Sequence, residues 1–523
     1  MIVDDTVGAM LAASLRRGGD RPALRMADAI RTHRELLDHA NRFANALRGS
    51  GLRPGDPVAL MLTDRFESVE AYLGCLIGGF AAVHVNDRWA AREVQAVLAD
   101  AGARGFVYTD GVGESVSAID ALGDIPAVIA IGEPVAAGHH LWSNFLEAAR
   151  PVAPDAAGGT DPNDLTIIGY TSGTTGRPKG VVHTQRSLSR TIRHMPVHFE
   201  FRPRNRTAFT GTLSFVSGIW GVLLPTLYLG GEVSFMAGLD ADEWISRMIQ
   251  QSSMSTYVPT PLAGDFNEQI HRRPEVLRTL RSVLHSGSQI PPLTLRRTVE
   301  LIGARMVECY GMTETGAPVT TTEPDDWSAD CRADDIYASA GRPMHLADVR
   351  IIDRDGAQLP TGETGEISVS SETQFLGYLN DPALTAQTLV DGRIRTGDVG
   401  RLDDAGYLYV TDRAKDMILS GGMNVFPAEV ESAMVDVPGL QEIAVFGIPH
   451  ERWGETVVAV AVRTDADLDE AAVIEAARAR LASYKKPTSV RFVDALPRTA
   501  SLKIDKPALR RAWVDLPPEP DKH

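Results

Sequence analysis

The eleven residues Tyr170–Gly180, YTSGTTGRPKG, hold two hydroxyl pairs, three glycines and one lysine. Glycines allow close approach of the backbone to an anion and leave N–H groups open to it. Thr171, Ser172, Thr174 and Thr175 add hydroxyl donors, and Lys179 adds a point charge. The chemistry that needs this set is phosphate binding, with Thr174 or Thr175 also able to face a metal ion. A Walker-type loop requires four residues between its first glycine and a Gly-Lys-Ser/Thr end. Here Gly173 is followed by Thr-Thr-Gly-Arg-Pro-Lys-Gly, so the spacing excludes that loop type.

Further candidates lie downstream. Tyr310-Gly-Met-Thr-Glu314 joins an aromatic ring, a glycine, a hydroxyl and a carboxylate. Thr396-Gly-Asp398 sets a carboxylate on a tight turn. Asp412-Arg-Ala-Lys-Asp-Met-Ile418, Ser420-Gly-Gly-Met-Asn-Val-Phe-Pro427 and Glu429 form a dense polar segment, and Lys503 stands near the C-terminus in LPRTASLKIDK. Each residue has a plainer reading: a helix-terminal charge for Glu314, a turn former for Asp398, a surface pair for Arg413, a solvated lysine for Lys503.

The elements that would position these groups follow from hydropathy. Short apolar runs at 58–62, 81–85, 105–108 and 165–169 alternate with helical patterns at 34–50 and 68–82. The rhythm returns with strands at 207–210, 232–235, 255–258 and 282–285 and a helix over 240–251 that Asp240 or Asp242 can cap. This alternation predicts an α/β fold built on mixed, mostly parallel sheets. From Ala347 the strands shorten and turns multiply (349–353, 365–369, 406–410), which predicts a small β subdomain. A small α+β domain follows, with helices at 427–435 and 468–481 and strands at 443–447, 456–462 and 490–493. The expected division is an N-terminal domain of residues 1–411 and a C-terminal domain of residues 412–523.

Composition narrows the function classes. A chain of 523 residues exceeds the size of a single core. Its formal charge of −16 opposes nonspecific nucleic-acid or anionic-membrane binding but leaves room for a local anion site. The first residues lack a secretory pattern, and no apolar run is long enough to span a bilayer. The three cysteines are too dispersed for metal-ligand spacing, so they read as reduced thiols of a cytoplasmic protein.

Taken together, the five motifs, their order and the two-domain split resemble the adenylate-forming superfamily of acyl-CoA synthetases, luciferases and peptide-synthetase adenylation domains. The resemblance covers nearly the whole chain. With no carrier-protein segment after Lys503, it is most similar to a stand-alone acid–CoA ligase. It implies that a carboxylate attacks the α-phosphate of ATP, that a thiol then attacks the acyl-adenylate, and that ATP, Mg2+ and coenzyme A are the partners of a monomer or homodimer. It also implies roles. Residues Thr171, Ser172, Gly173, Thr174, Thr175, Gly176 and Lys179 cradle the β- and γ-phosphates. Tyr310 packs on adenine and ribose, Glu308 accepts from the adenine amino group, and Ser286, Gly287 and Ser288 line the nucleotide and acid pockets. Thr313 touches the α-phosphate and Glu314 holds Mg2+ together with Thr174. Asp398 and Arg413 meet the ribose, and Lys503 bridges the attacking carboxylate and the α-phosphate. Lys415 is the hinge of a mobile C-terminal lid. Gly421 and Gly422 line the pantetheine channel, and Trp453, Lys485 and Lys486 hold coenzyme A.

The acid pocket implied by the resemblance comprises Phe215, Ile219, Trp220, Gly221, Gly311, Met312, Ala317 and Pro318 with the 286–288 segment. It is apolar and lacks a cation for a second carboxylate, so fatty, aromatic and alicyclic acids fit it. Two positions depart from the family pattern: Phe215 replaces a histidine and Leu502 replaces a glycine. Both touch the first half-reaction. Three alternatives accompany the ligase reading: transfer to a carrier-protein thiol, an enzyme that performs mainly the thioester step, and an oxidative luciferase.

Overall fold

The computed structural model describes residues 6–119, 122–147, 149–154, 161–171, 178–413, 418–420, 423–425, 427–450, 454–481, 484–499 and 503–513. It divides into two compact units. The first comprises residues 1–332, 340–349 and 369–395, and the second 333–339, 350–368 and 396–523.

Two sheets organise the first unit. In the eight-stranded sheet the order is Gly377–Tyr378, Lys179–Thr184, Leu165–Thr171, Ala81–Val85, Pro57–Met61, Gly105–Thr109, Ala127–Ile131 and His140–Leu141. Its inner strands pair parallel, and Lys179–Thr184 returns antiparallel on Leu165–Thr171. The strands read as continuous apolar runs because both faces are covered; all five residues of Ala81–Val85 and of Gly105–Thr109 are buried.

The nine-stranded sheet runs Arg342–Pro343, Pro318–Thr321, Met306–Gly311, Ser282–Ser286, Ser255–Tyr257, Arg206–Phe209, Glu232–Phe235, Pro22–Met26 and Ala29–Thr32. From Pro22–Met26 to Met306–Gly311 the neighbours are parallel. In such sheets ligands gather beyond the carboxyl ends of the strands. The segments that follow Phe209, Ser286 and Gly311 carry Phe215, Ile219, Trp220, Gly221, Gly287, Ser288, Met312, Thr313, Glu314, Ala317 and Pro318 of the expected site.

Local rules explain the helix ends. Thr32 accepts from the Glu35 N–H while Glu35 reaches back to the Thr32 N–H at 2.8 Å, a capping box that starts the helix His33–Gly49. Asp240 caps Ala241–Gln250 through the Glu243 N–H at 2.8 Å. The helix expected over 68–82 spans Phe66–Gly78 instead. Gly79, left-handed at φ 75°, stops it before the strand Ala81–Val85 begins.

The second unit contains Leu408–Arg413 paired antiparallel with residues 398–402, so that Asp398 lies opposite Arg413. Its other sheet is ordered Met423–Val425, Ile418–Ser420, Gly454–Arg463 and Leu440–His450, with Ser489–Phe492 parallel to Gly454–Arg463. Period-two alternation gives that sheet two cores. Val457, Ala459 and Ala461 join Val473 and Ala477, while Val458, Val460 and Val462 join Leu496, Leu509 and Trp513. The domain boundary at residue 412 remains a proposal drawn from the sequence. No described helix is long and apolar enough to cross a membrane.

Candidate active site

The segment expected to bind phosphate lies between two antiparallel strands. Its flanks Thr171 and Lys179 are paired in register, and Tyr170 lies opposite Gly180. The Tyr170 hydroxyl donates to Asp100 Oδ2 at 2.5 Å, and Asn380 Nδ2 donates to the Asp100 carbonyl at 2.8 Å, which fixes the base of the hairpin. Residues Ser172, Gly173, Thr174, Thr175 and Gly176, expected to touch phosphate, lie outside the described residues, as do Lys415, Gly421, Gly422 and Trp453.

Thr313 and Glu314 occupy a single 3-10 turn, Thr313–Thr315, at the carboxyl end of Met306–Gly311. Several bonds hold that turn. Thr315 Oγ1 donates to the Met312 carbonyl at 2.8 Å, Thr373 Oγ1 donates to the Thr315 carbonyl at 2.8 Å, and the Phe375 N–H donates to the Glu314 carbonyl at 2.8 Å. The chain leaves the turn through Gly316 at φ 70°, where a Cβ would stand 2.1 Å from the Thr373 carbonyl oxygen. Gly316→Ala is therefore expected to cost about 3 kcal/mol in urea unfolding, from left-handed strain plus a backbone clash. An unchanged midpoint would mean that the 313–316 turn is not held as described.

The Glu314 side chain is buried. Its Oε1 accepts from the Tyr378 hydroxyl at 2.7 Å. Burial together with that carboxylate pushes the Tyr378 phenol well above its ordinary range. Lys179 Nζ stands 5.7 Å from the centroid of the same Tyr378 ring. One aromatic side chain thus links Lys179 to Glu314.

On the other side of the turn, His183 Nε2 is 2.8 Å from the Thr313 carbonyl, and its ring meets Trp220 edge-on at 4.8 Å. Burial pushes this histidine down to about 4, so the neutral ring donates from Nε2. A side chain at Gly169 would meet Thr313, Trp220 and Val216, which places Trp220 beside the turn that carries Thr313. Trp220 lies in a π-helical turn, Ile219–Leu223, with Ile219 buried beside it and Gly221 half-buried. Such turns concentrate at functional sites.

Phe215 opens this segment and is half-buried. The loop before it is fixed from below. The Leu213 N–H donates to Asp64 Oδ1 at 2.8 Å, and the Ser214 carbonyl accepts from His84 Nε2 at 2.7 Å and from Asn86 Nδ2 at 3.2 Å. Burial raises the Asp64 carboxyl to about 6 and lowers His84 to about 4. Of the other residues expected in the acid pocket, Gly311 is paired with Pro318 next to a strand irregularity and Ala317 is buried.

At the expected base-binding end, Glu308 is buried and its Oε2 lies 2.8 Å from His285 Nδ1. His285 Nε2 is 2.8 Å from Thr260 Oγ1, which is 2.6 Å from Ser288 Oγ. Ser286 accepts the Tyr257 hydroxyl on its carbonyl at 3.0 Å, and Gly287 is exposed at φ 89°. Glu308 Oε1 is buried without a hydrogen-bond partner among the described residues. An acceptor left this way costs about 1–3 kcal/mol and suits an amino donor. Tyr310, half-buried, pairs in register with Thr320 at the same strand end.

Asp398, Arg413, Lys485, Lys486 and Lys503 belong to the second unit. Asp398 is buried, and its N–H donates to Thr396 Oγ1 at 3.1 Å. Lys503 is exposed. Lys485 Nζ pairs with Glu429 Oε1 at 2.5 Å, so that cation is already engaged. Among the described residues no group of three or more His, Cys, Asp or Glu side chains could hold a metal ion. A lone buried carboxylate such as Glu314 still fits Mg2+, which is commonly held by one or two carboxylates plus substrate phosphates.

His183, His285, Tyr378, His84 and Asp64 were not visible as site residues in the sequence. Each acts through partners remote in the chain, and only Tyr378, beside Gly377 in a short aromatic step, carries even a weak local signal.

The sequence matches the family described as AMP-binding enzyme over residues 11–379 and the AMP-binding enzyme C-terminal domain over residues 429–503. A feruloyl-CoA synthase from Amycolatopsis sp is 35% identical over 495 residues, covering 94% of this chain and 96% of the relative. The long-chain-fatty-acid–CoA ligase FadD13 of Mycobacterium tuberculosis is 33% identical over 488 residues, 93% of this chain and 94% of that one. The crystal structure of ATP-bound MatB from Rhodopseudomonas palustris superposes with a TM-score of 0.87 at 28% identity, covering 98% of this chain and 99% of the other.

Proposed function

Since the chain belongs to the adenylate-forming superfamily of AMP-binding enzymes and is an acid–thiol ligase, we propose that it activates an apolar carboxylic acid as an acyl-adenylate and passes the acyl group to coenzyme A. The observation that carries this reading is the cluster of Thr313, buried Glu314 and Lys179 around the phosphate hairpin, with Trp220 on the far side of the same turn.

In the first step a carboxylate oxygen attacks the α-phosphorus and pyrophosphate leaves. Thr313 offers its hydroxyl and Lys179 its charge to the phosphates, while Lys503 supplies charge between the acid and the α-phosphate. Glu314 would hold Mg2+, which supplies charge neutralisation at the phosphate oxygens when bound. Glu308 Oε1 accepts from the base, and Asp398 and Arg413 hold the ribose. In the second step the thiol sulfur attacks the acyl carbonyl carbon and AMP leaves, with Lys486 and Trp453 toward coenzyme A. The C-terminal domain, 412–523, turns about Lys415 between the two steps. The apolar wall of Ile219, Trp220, Met312, Ala317 and Pro318 supports a fatty, aromatic or alicyclic acid over a dicarboxylic one.

Pyrophosphate exchange over a panel of such acids, followed by thioester formation with coenzyme A, tests the reading. Exchange with one acid class and transfer to coenzyme A is the expected result. Exchange without transfer would favour a carrier-protein thiol, the reading that the Lys485–Glu429 pair supports by occupying one cation of the expected coenzyme A site. By the family pattern the sequence resembles, Phe215 takes the place of a histidine, so adenylation is expected to be slow, and Phe215→His should raise the exchange rate about tenfold at an unchanged thioester rate. A lower exchange rate in that variant would show that Phe215 is part of the acid's own fit.

A further inference from the structure

The segment 373–378 lies across the Thr313–Thr315 turn as a strap. Thr373 and Phe375 each bond a carbonyl of the turn, and the Tyr378 hydroxyl reaches the Glu314 carboxylate at 2.7 Å. The same segment is a strand neighbour of the phosphate hairpin. Tyr378 pairs with Val181 and Gly377 with Val182, two and three residues beyond Lys179. Tyr378 is itself held on three sides. Its N–H donates to Thr385 Oγ1 at 2.9 Å, its ring meets Phe375 edge-on at 5.1 Å, and Lys179 Nζ lies 5.7 Å from its centroid. The ring cannot swing away without breaking several contacts, so the direction of its O–H is fixed by the fold.

We propose that Tyr378 is a positioning residue for adenylate formation: its hydroxyl sets the Glu314 carboxylate for the divalent cation, and its ring face sets Lys179 for the phosphates. This rests on the ligase reading above. Two properties support it. A buried carboxylate with one oxygen committed to a fixed donor presents its remaining lone pairs in a defined direction, which is how outer partners orient metal ligands, and their loss typically lowers metal affinity about 10–100-fold. An ammonium over an aromatic face gains about 0.5–1 kcal/mol, enough to bias the lysine without binding it irreversibly. One side chain would thus align cation and lysine on the same triphosphate before it arrives, with no reorganisation left for the chemical step.

The two halves of the role separate by substitution in the full-length protein. Tyr378→Phe keeps the ring and removes the donor; Tyr378→Leu removes both. Binding of α,β-methylene-ATP is measured by calorimetry without metal, and again with Mn2+, whose bound fraction is followed by electron paramagnetic resonance. Tyr378→Phe is expected to leave metal-free nucleotide affinity within twofold and to weaken Mn2+ binding in the ternary complex at least tenfold. Tyr378→Leu is expected to lose the same metal affinity and a further two- to fivefold in metal-free nucleotide affinity. In a Glu314→Gln background the Tyr378→Phe effect on Mn2+ should vanish. The proposal is overturned if Tyr378→Phe binds Mn2+ as the unaltered protein does, if both variants lose metal-free affinity equally, or if the effect persists without Glu314. An unaltered protein that bound no nucleotide would overturn the ligase reading itself, and this proposal with it.

Discussion

Lys503→Ala is expected to lower acid-dependent pyrophosphate exchange about 100- to 1000-fold, while thioester formation from a preformed acyl-adenylate changes less than threefold. The size is that of one removed donor at developing transition-state charge. The asymmetry follows from the chemistry: only the first step brings two anions, the acid and the α-phosphate, together, and only there is a cation between them needed. Lys503 is built for display. Its carbonyl accepts the Thr499 N–H at 2.8 Å, Arg498 and Ile504 form a bridge, and the Asp505 N–H donates to the Pro497 carbonyl at 2.8 Å, so the backbone is fixed while the residue is exposed. Lys506, three residues on, pairs with Glu431 at 2.8 Å and serves as a control. Lys506→Ala should lower stability slightly and leave exchange within twofold. Lys503→Arg should recover little, since a planar fork does not replace a compact ammonium. Equal loss in both half-reactions would remove Lys503 from the adenylation step and make it a general phosphate contact.

The second large effect is on stability against pH. His33, His84 and His183 are buried, and burial lowers each to about 4. Unfolded, they titrate near ~6.5. Between those values the unfolded chain binds more protons than the folded one, so stability rises with pH across that window and falls as the solution is acidified. At pH 5 each of the three is expected to cost about 2 kcal/mol relative to neutrality. His198, half-buried against His345 and lowered by burial and its neighbours, adds a smaller cost of the same sign. Asp64 works the other way: raised to about 6 by burial, it binds its proton more tightly when folded and offsets about 1 kcal/mol at pH 5. Urea unfolding at pH 7, 6 and 5 should show a steep loss that begins below about pH 6.5. A flat profile would mean that the three rings are hydrated or protonated in the folded chain.

What was legible in the sequence was local. The buried parallel strands appear as unbroken apolar runs, and the hairpin's glycines, hydroxyls and lysine are contiguous, as are Thr313 and Glu314. The strand Lys179–Thr184 was not legible, because its lysine and histidine interrupt the apolar pattern. Nor was the π-helical turn around Trp220, whose register change leaves no mark in an apolar stretch. The network of His183, His285 and Tyr378 stayed hidden for a different reason. These single side chains meet partners 130, 23 and 64 residues away. Sequence spacing says nothing about contacts that the sheet order creates.

The line Ser288–Thr260–His285–Glu308 carries a polarity. In the neutral tautomer that donates Nδ1–H to the carboxylate, His285 accepts at Nε2, and in that arrangement the Thr260 proton points toward the ring and the Ser288 proton toward Thr260. In that tautomer both hydroxyl rotors of the line point the same way, a sense set by the oxygen of Glu308 that receives Nδ1–H. A glutamine at that position could offer an amide hydrogen and reverse the whole row, moving the imidazole proton from one nitrogen to the other. The identity of residue 308 is thus written in the tautomer of a ring that need never touch the nucleotide, where nitrogen chemical shifts can read it.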